Sequence, residues 1–537
     1  MRIISKPILN RAASVPLSLN SNFSRSITRV LATGPQKINF NDAETAFQAK
    51  SFPALIRGYA VFRTCLVRFL VNNAETMIRQ SYIYLGDPIT DYALRKTFFG
   101  HFCAGQDTSD MGPTIRMLES AGIGAILDYA AEADIVEDEI RPLTPPEVQI
   151  KSRVYDYYNE DICDARAKVF ESCIESAHTL KGTKDAFAAV KVTALGNPKL
   201  LERVSTAIVE IRNLFHKFDV DNTGLISKEA FKKQYETYFS GGMDVDEVFK
   251  MINADNDDSI DYVEWSNCLT IEEIHKLTSF CKSRGPLAAA TLTEEERELL
   301  LVMRQRMYKI VDLADKYNVK LMIDAEHTYF QPAIDYFTHI LMKKYNKDRA
   351  LIFGTYQMYL TDSHGRLLDD IARAKDGKYH FACKLVRGAY MELERARAAD
   401  KGYTSPIHLT KQATSDNYNA GIAYMLDKIA DGDKVQLMIA THNQESIEMT
   451  IAKAAERGLG PEANIFFGQL LGMADHLTYS LGAAHYKAFK YVPYGKIKEV
   501  MPYLIRRAQE NSDMLGGVGV ELKMLKKEIF RRLSPFK

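Results

Sequence analysis

Acidic residues are missing from the first 41 positions of this 537-residue chain, where Arg2, Lys6, Arg11, Arg25, Arg29 and Lys37 stand among frequent serines and Asp42 is the first acid. A basic, Ser-rich, acid-free leader has the composition of a mitochondrial transit peptide; a secretory signal would need a continuous apolar core. The rival reading, a plain basic tail, predicts that residues 1–45 fused to a reporter stay diffuse in the cytosol. Long apolar runs are also lacking: the best stretch, residues 55–70, carries Arg57, Arg63 and Arg68, so nothing reaches the roughly 18 residues of a spanning helix. Cysteine is sparse: seven residues, scattered and never spaced as CxxC, which argues against a disulfide framework or a four-thiolate zinc site. Charge of either sign is not in excess, with 69 Lys+Arg against 69 Asp+Glu and no dense basic block, so nucleic acid is not an expected partner. No GxGxxG follows an early strand, which removes the main signature of an open dinucleotide-binding sheet.

What is present alternates. Residues 42–117 show helical periodicity, and residues 131–147, acidic with Pro142, Pro145 and Pro146, read as an exposed loop. Thr293 and Glu296 form a capping box for a long helix through Lys316. Eight short apolar runs, at residues 124–129, 186–195, 320–326, 351–356, 381–386, 436–442, 465–471 and 489–494, are separated by helical stretches. Strands buried on both faces and alternating with helices predict a parallel sheet, and eight repeats predict closure into a (β/α)8 barrel of the TIM type; a doubly wound open sheet is the alternative. The expected organisation is a leader (1–41), a helical region (42–117), a first part of the barrel (118–198), an insertion (199–285) and the rest of the barrel (286–537).

Several runs carry one costly polar residue near their ends: Lys191, Asp324, Lys384 and His442. An ionised side chain in an apolar strand must be paired, hydrated or used, and the C-terminal mouth of a barrel is where such residues usually act. Strand-end residues reaching solvent are the alternative for any one of them; four on separate strands favour a site for a small anion. Near the C-terminus, Tyr503, Arg507 and Glu510 share one helical stripe, with Arg506 about 60° to its side. Two guanidiniums on one helix suit bidentate capture of a carboxylate.

The segments Lys384-Leu-Val-Arg-Gly-Ala-Tyr390, Leu321-Met-Ile-Asp-Ala-Glu326, Ala440-Thr-His-Asn443, Tyr491-Val-Pro-Tyr-Gly495 and Arg506-Arg-Ala-Gln-Glu-Asn511 together resemble the proline dehydrogenases, in order from about Thr97 to Leu515. The resemblance implies an FAD-bearing barrel that oxidises L-proline to Δ1-pyrroline-5-carboxylate and passes electrons to ubiquinone. It also implies a mitochondrial matrix location with peripheral attachment to the inner membrane. Carried over by residue, it makes Lys191, Arg506 and Arg507 the carboxylate-binding cations and Asp324 a carboxylate of the inner site, these four forming the catalytic set. Tyr390, Leu470, Tyr491 and Tyr503 become the wall around the substrate ring, while Asp324, Ile352, Gln357, Lys384, Arg387, Thr410, His442 and Glu510 become cofactor contacts. The chain departs from the bacterial pattern at Lys384, where Arg is usual, and at Gly354, where a flavin-contacting Gln is usual. Gln357 or backbone is the expected substitute for the second contact. The sister hydroxyproline dehydrogenases tend to carry a smaller residue at the position of Tyr491, so Tyr491 favours proline.

The insertion holds two 12-residue acidic loops. The second, residues 253–264, offers Asn253, Asp255, Asp257, Ser259 (backbone), Asp261 and Glu264 at the ligand positions of an EF-hand, with Ile260 at its hydrophobic position and Asp258 where Gly is usual. These six are the expected Ca²⁺ ligands. The first loop, residues 219–230, keeps Gly224 and Ile226 but ends in Ala230 instead of a bidentate Glu, so weak binding or none is expected there. A Ca²⁺-responsive binding module on an inactive barrel is the non-enzymatic alternative.

Overall fold

The eight apolar runs become the eight strands of a closed parallel barrel: β1 (Ile123–Tyr129), β2 (Ala186–Val190), β3 (Val319–Ile323), β4 (Ile352–Gln357), β5 (Phe381–Val386), β6 (Val435–Ala440), β7 (Ile465–Leu470) and β8 (Lys487–Tyr494). They pair in chain order, and β8 closes on β1 with Ile126 opposite Tyr491 and Asp128 opposite Pro493. The computed structural model describes residues 38–130, 133–136, 151–155, 157–182, 185–241, 244–271, 274–283, 285–513 and 515–534. Residues 39–537 form one unit. The expected leader lies outside the described residues except for its last four positions.

Side chains alternate in and out along each strand, and that parity builds the barrel in two levels. Ile126, Phe187, Ala189, Met322, Phe353, Ala382, Met438, Phe466 and Phe489 meet along the axis as one apolar cluster. The Phe187 ring meets those of Phe353, Phe466 and Phe489 edge to face at 5.0 to 5.7 Å between centroids, a favoured arrangement of ring quadrupoles. Two residues further along five of the strands comes the polar mouth: Asp128 beyond Ile126, Lys191 beyond Ala189, Asp324 beyond Met322, Lys384 beyond Ala382 and Tyr491 beyond Phe489. The apolar floor carries the fold and the next inward position carries the polar groups.

The helix Glu294–Tyr317 begins with the expected capping box, Thr293 and Glu296 exchanging bonds with each other's backbone. The expected loop at residues 131–147 needs correction where it is described: Ala133–Val136 is a strand, paired antiparallel with Lys151–Val154. The rest of that segment lies outside the described residues.

In the insertion, the helix Pro198–Phe218 runs unbroken across the expected boundary at 199. Its start bonds to barrel helix Gln331–Tyr345, where Ser205 Oγ accepts from the Ala333 amide at 3.1 Å. Its end packs Phe215 and Phe218 on Trp265. Two short strands, Leu225–Ser227 and Ser259–Asp261, pair antiparallel with Ile226 opposite Ile260, joining the two acidic loops back to back.

Candidate active site

Asp128 and Lys191 face each other across adjacent strands, with Nζ to Oδ1 at 3.1 Å and both side chains buried. Burial alone would lower the Lys191 amine, but the Asp128 carboxylate outweighs it, helped by Tyr155 and Asp324, and the amine is held above its ordinary value. A second group stands beside the first. Lys384 Nζ lies 2.5 Å from Asp324 Oδ1, and the Tyr491 hydroxyl donates to Asp324 Oδ2 at 2.7 Å. Burial pushes Asp324 up, yet Lys384 and Lys191 hold it below the usual carboxylate range. Asp324 thus fixes a cation and a phenol from two other strands.

The helix Met501–Asp513 supplies the second wall. Arg507 lies over the Tyr503 ring at 4.8 Å and donates to Glu510 Oε1 at 2.5 Å, so the expected stripe forms. Arg506 is buried, and burial together with the adjacent Arg507 charge pushes it down to about 10. Two crowded guanidiniums that lose part of their hydration gain from an arriving anion. The Arg507 Nε and the Tyr503 hydroxyl are buried with no hydrogen-bond partner.

Tyr390 follows β5, buried, with its ring 4.2 Å from that of His327. His327 Nδ1 is 3.2 Å from Glu394 Oε1, a carboxylate that also accepts from the Thr328 amide at 2.8 Å. His442 Nε2 accepts from the Leu470 amide at 3.1 Å, so its ring is neutral with the proton on Nδ1. Burial and the charges of Lys490 and Arg507 push it down to about 3. Leu470 is half-buried at the end of β7. Arg387 donates to the Thr441 and Ser446 hydroxyls at 2.7 and 3.0 Å and lies over the Tyr418 ring at 4.4 Å. Thr410 is exposed and caps the helix Lys411–Ala430, accepting from the Ala413 amide at 3.0 Å.

Two expectations on β4 resolve by parity. Ile352 opens the strand, away from the mouth, with its amide and carbonyl both bonded to the Asn346 side chain at 2.8 and 2.9 Å; the structure does not bring it to the site. Gly354 shares that outward face: a Cβ there would meet Thr338 Cγ2 at 3.2 Å and Met342 Cε at 3.4 Å, both on an outer helix. Gln357 takes the opposite parity and reaches the mouth, donating to the Glu326 carbonyl at 2.6 Å while its Oε1 is buried without a partner.

Two residues escape sequence reasoning. Asp128 is one, although a lone acid two places beyond an inward apolar residue of a buried strand is the signal that flags Asp324. Glu326 is the other: its carboxylate accepts from the Thr193 amide at 3.1 Å and hydroxyl at 2.5 Å, clamping the turn just after Lys191. Burial raises it to about 7, more than its Thr193 bonds lower it.

In the second acidic loop the Glu264 carboxylate accepts from the amides of Ala254 at 2.7 Å, Asp255 at 3.3 Å and Asp261 at 3.1 Å. Among the described residues no three His, Cys, Asp or Glu side chains gather as a metal cluster. The left-handed residue of this loop is Asn256, φ 61°, and Asp258 is not among the positive-φ positions, whereas the first loop has both Asn222 at φ 51° and Gly224 at φ 82°. The second loop thus takes the left-handed conformation at its fourth position, as the first loop does, but not at its sixth, where Asp258 replaces the Gly that adopts it at no steric cost.

A closed (β/α)8 barrel whose mouth combines buried cations, an inner carboxylate and tyrosines, under a helix bearing paired guanidiniums, defines a class: barrel proteins built to hold a small carboxylate-bearing molecule. The proline dehydrogenase family profile matches residues 111–519. The chain is 33% identical to human proline dehydrogenase 1, mitochondrial, over 92% of its length and 90% of the relative's, and 32% identical to the Drosophila melanogaster protein of that name over 98% and 86%. It is 28% identical to Xenopus laevis hydroxyproline dehydrogenase over 94% of its length and 92% of the relative's. Among solved structures it is similar to proline utilization A from Bdellovibrio bacteriovorus inactivated by N-propargylglycine, with a TM-score of 0.55 at 14% identity. That match covers 90% of this chain and 45% of the other, so the chain spans about half the length of that structure. It belongs to the proline dehydrogenase family.

Proposed function

We propose that the chain oxidises L-proline to Δ1-pyrroline-5-carboxylate, the first step of proline catabolism, with FAD as hydride acceptor and ubiquinone as the onward acceptor. The observation that carries this reading is the juxtaposition at the mouth of the Lys191–Asp128 pair, the Lys384–Asp324–Tyr491 group and the Arg506–Arg507 pair. A proline zwitterion presents a carboxylate, a small apolar ring and a nitrogen. Lys191, Arg506 and Arg507 take the carboxylate; Tyr390, Leu470, Tyr491 and Tyr503 enclose the ring. Loss of a hydride from C5 and of a proton from nitrogen leaves a C=N bond, so the protein needs no nucleophile, only orientation and charge.

The residues present fit a flavin. The partnerless Gln357 Oε1 is a buried acceptor for a ring N–H, and Lys384, Arg387, His442, Thr410 and Glu510 are the remaining contacts this reading assigns. When bound, FAD supplies the two-electron acceptor. Lys384, fixed by Asp324, would place a positive charge beside the bound group, where negative charge is favoured. The Tyr491 hydroxyl is held by Asp324, which keeps its ring in place against the substrate and favours proline over the hydroxylated ring. The decisive measurement is the absorption spectrum of the purified chain: flavin bands that bleach on adding proline are expected, and a colourless protein, or a flavin indifferent to proline, overturns the proposal. Turnover of trans-4-hydroxyproline equal to that of proline would shift the reading to hydroxyproline dehydrogenase.

Three further elements belong to the proposal. Residues 1–41 act as a mitochondrial leader, in keeping with the mitochondrial names of the relatives. The folded chain attaches peripherally to the inner membrane, where its quinone resides; among the described residues no helix is long and apolar enough to cross it. Ca²⁺ binds the second acidic loop through Asn253, Asp255, Asp257, the Ser259 carbonyl, Asp261 and Glu264. Asn253 Oδ1, at the first ligand position, is buried without a partner, and Glu264 would reach the ion by giving up its three backbone amides. Calorimetry should show Ca²⁺ heat in the wild type and none in Glu264→Gln; no heat in either removes Ca²⁺ from the proposal.

A further inference from the structure

The helical segment Ala74–Lys96 is interrupted at Gly86, whose φ of 76° and ψ of 169° no helix contains. The Tyr82 hydroxyl donates to Asp91 Oδ1 at 2.7 Å. In a continuous helix those two residues would stand about 13 Å apart along the axis, so the chain doubles back at Gly86 and the two arms are stapled together. The residues at and beside the bend are Ile83, Tyr84, Leu85, Ile89 and Tyr92, all 54–81% exposed. Single exposed apolar residues are ordinary; five large ones gathered on one bend mark an interaction surface.

The charges around the bend say what covers it. Arg79, Arg95 and Lys96 are exposed on the two arms. Of the three acids between residues 52 and 96, Asp87 is paired with Lys498 at 2.6 Å and Asp91 is bonded to Tyr82. An apolar, tyrosine-bearing tip within a basic collar suits an anionic bilayer surface, with aliphatic side chains in the acyl boundary, phenols at headgroup depth and cations on the phosphates. A protein groove would not require the collar.

We propose that the bend at Gly86 is a membrane-docking tip that inserts Ile83, Tyr84, Leu85 and Ile89 into an anionic lipid surface. This rests on the reading that electrons leave for a membrane quinone, and it names the surface that attaches. The arms are anchored where that reading needs them: Ile78 and Tyr82 pack in the same apolar cluster as Tyr503, Leu504 and Ala508 of the substrate helix. A tip seated in lipid holds the barrel mouth close to the bilayer in which the acceptor dissolves.

The test compares the full chain with a triple variant, Ile83→Ser, Tyr84→Ser and Leu85→Ser, for co-sedimentation with vesicles of phosphatidylcholine containing one-fifth phosphatidylglycerol, and for proline oxidation with a soluble dye. None of the three residues is buried, so dye-linked turnover is expected unchanged while vesicle binding falls about tenfold or more. Charge reversal at Arg79 and Lys96 should weaken binding to the anionic vesicles and leave binding to pure phosphatidylcholine unaltered. A wild type that ignores both vesicles overturns the membrane reading itself. A wild type and triple variant that bind equally well overturn the tip while sparing that reading. A wild type that self-associates in solution, and a triple variant that does not, would assign the bend to a second copy of the chain and also overturn the tip.

Discussion

At Glu326, burial and hydrogen bonding pull in opposite directions and burial wins, leaving the carboxyl at about 7 against an ordinary 4.5. Between those values the folded chain keeps a proton that the unfolded chain has released. The stability this group contributes is therefore full below about pH 4.5 and is lost as pH rises through about 7. Glu326→Gln retains an acceptor for the Thr193 amide and has no charge to bury, so its melting temperature should gain on the wild type between about pH 5 and pH 8; an offset independent of pH would refute this. Glu326→Ala frees the turn behind Lys191, and a raised KM with a smaller change in kcat is expected. Asp324 is under a different demand, since it holds a cation and a phenol at once. Asp324→Asn cannot satisfy both as an anion does; a fall in kcat/KM of about 100-fold, from roughly 3 kcal/mol of lost charge-assisted bonding, is expected with the circular dichroism spectrum intact.

At the scale of elements, parity decides which residues matter. All eight strands were legible because strands buried on both faces read as short apolar runs, and helices between them imply parallel pairing. Lys191, Asp324 and Lys384 were legible as single charges in such runs. Asp128 obeys the same rule, but its partner Lys191 stands 63 positions away on the neighbouring strand, a pairing that only the closed barrel displays. Ile352 and Gly354 show where motif position misleads: they sit in the right strand on the wrong face. The strand Ala133–Val136 was obscured because its neighbours are acidic and Pro-rich, which is ordinarily a loop signal. Because Gly354 faces outward, Gly354→Ala should cost about 1 kcal/mol of stability, by crowding Thr338 and Met342, without loss of flavin. Gln357→Ala should lower flavin retention instead, and the ratio of flavin to protein absorbance separates the two. On the barrel floor, Phe187→Ala removes the ring that three others meet, and a loss of about 3–5 kcal/mol in urea unfolding is expected.

Over the whole molecule, the chain's one tryptophan, Trp265, is buried in the insertion with its indole N–H donating to the Ile211 carbonyl at 3.1 Å. Its emission therefore reports on the insertion alone, while circular dichroism is dominated by the barrel and its helices. Because the helix Pro198–Phe218 serves both, the two signals are expected to change together in a urea titration. A tryptophan transition at lower urea would show instead that the insertion unfolds as a separate unit.

The same helix also has a kinetic meaning. Ala186 of β2 pairs with Val319 of β3, about 130 residues later, where an ordinary βαβ unit spans about 30. Closing the longer loop costs roughly 1–1.5 kcal/mol more in chain entropy if the intervening chain is unstructured. A helix–loop–helix pair that forms early shortens the effective loop, because its outgoing and returning helices bring the chain ends back toward one another. The chain between β2 and β3 is therefore expected to shorten that closure when it folds first, and Trp265→Ala, which weakens its core, should slow the refolding of the barrel signal in stopped-flow circular dichroism.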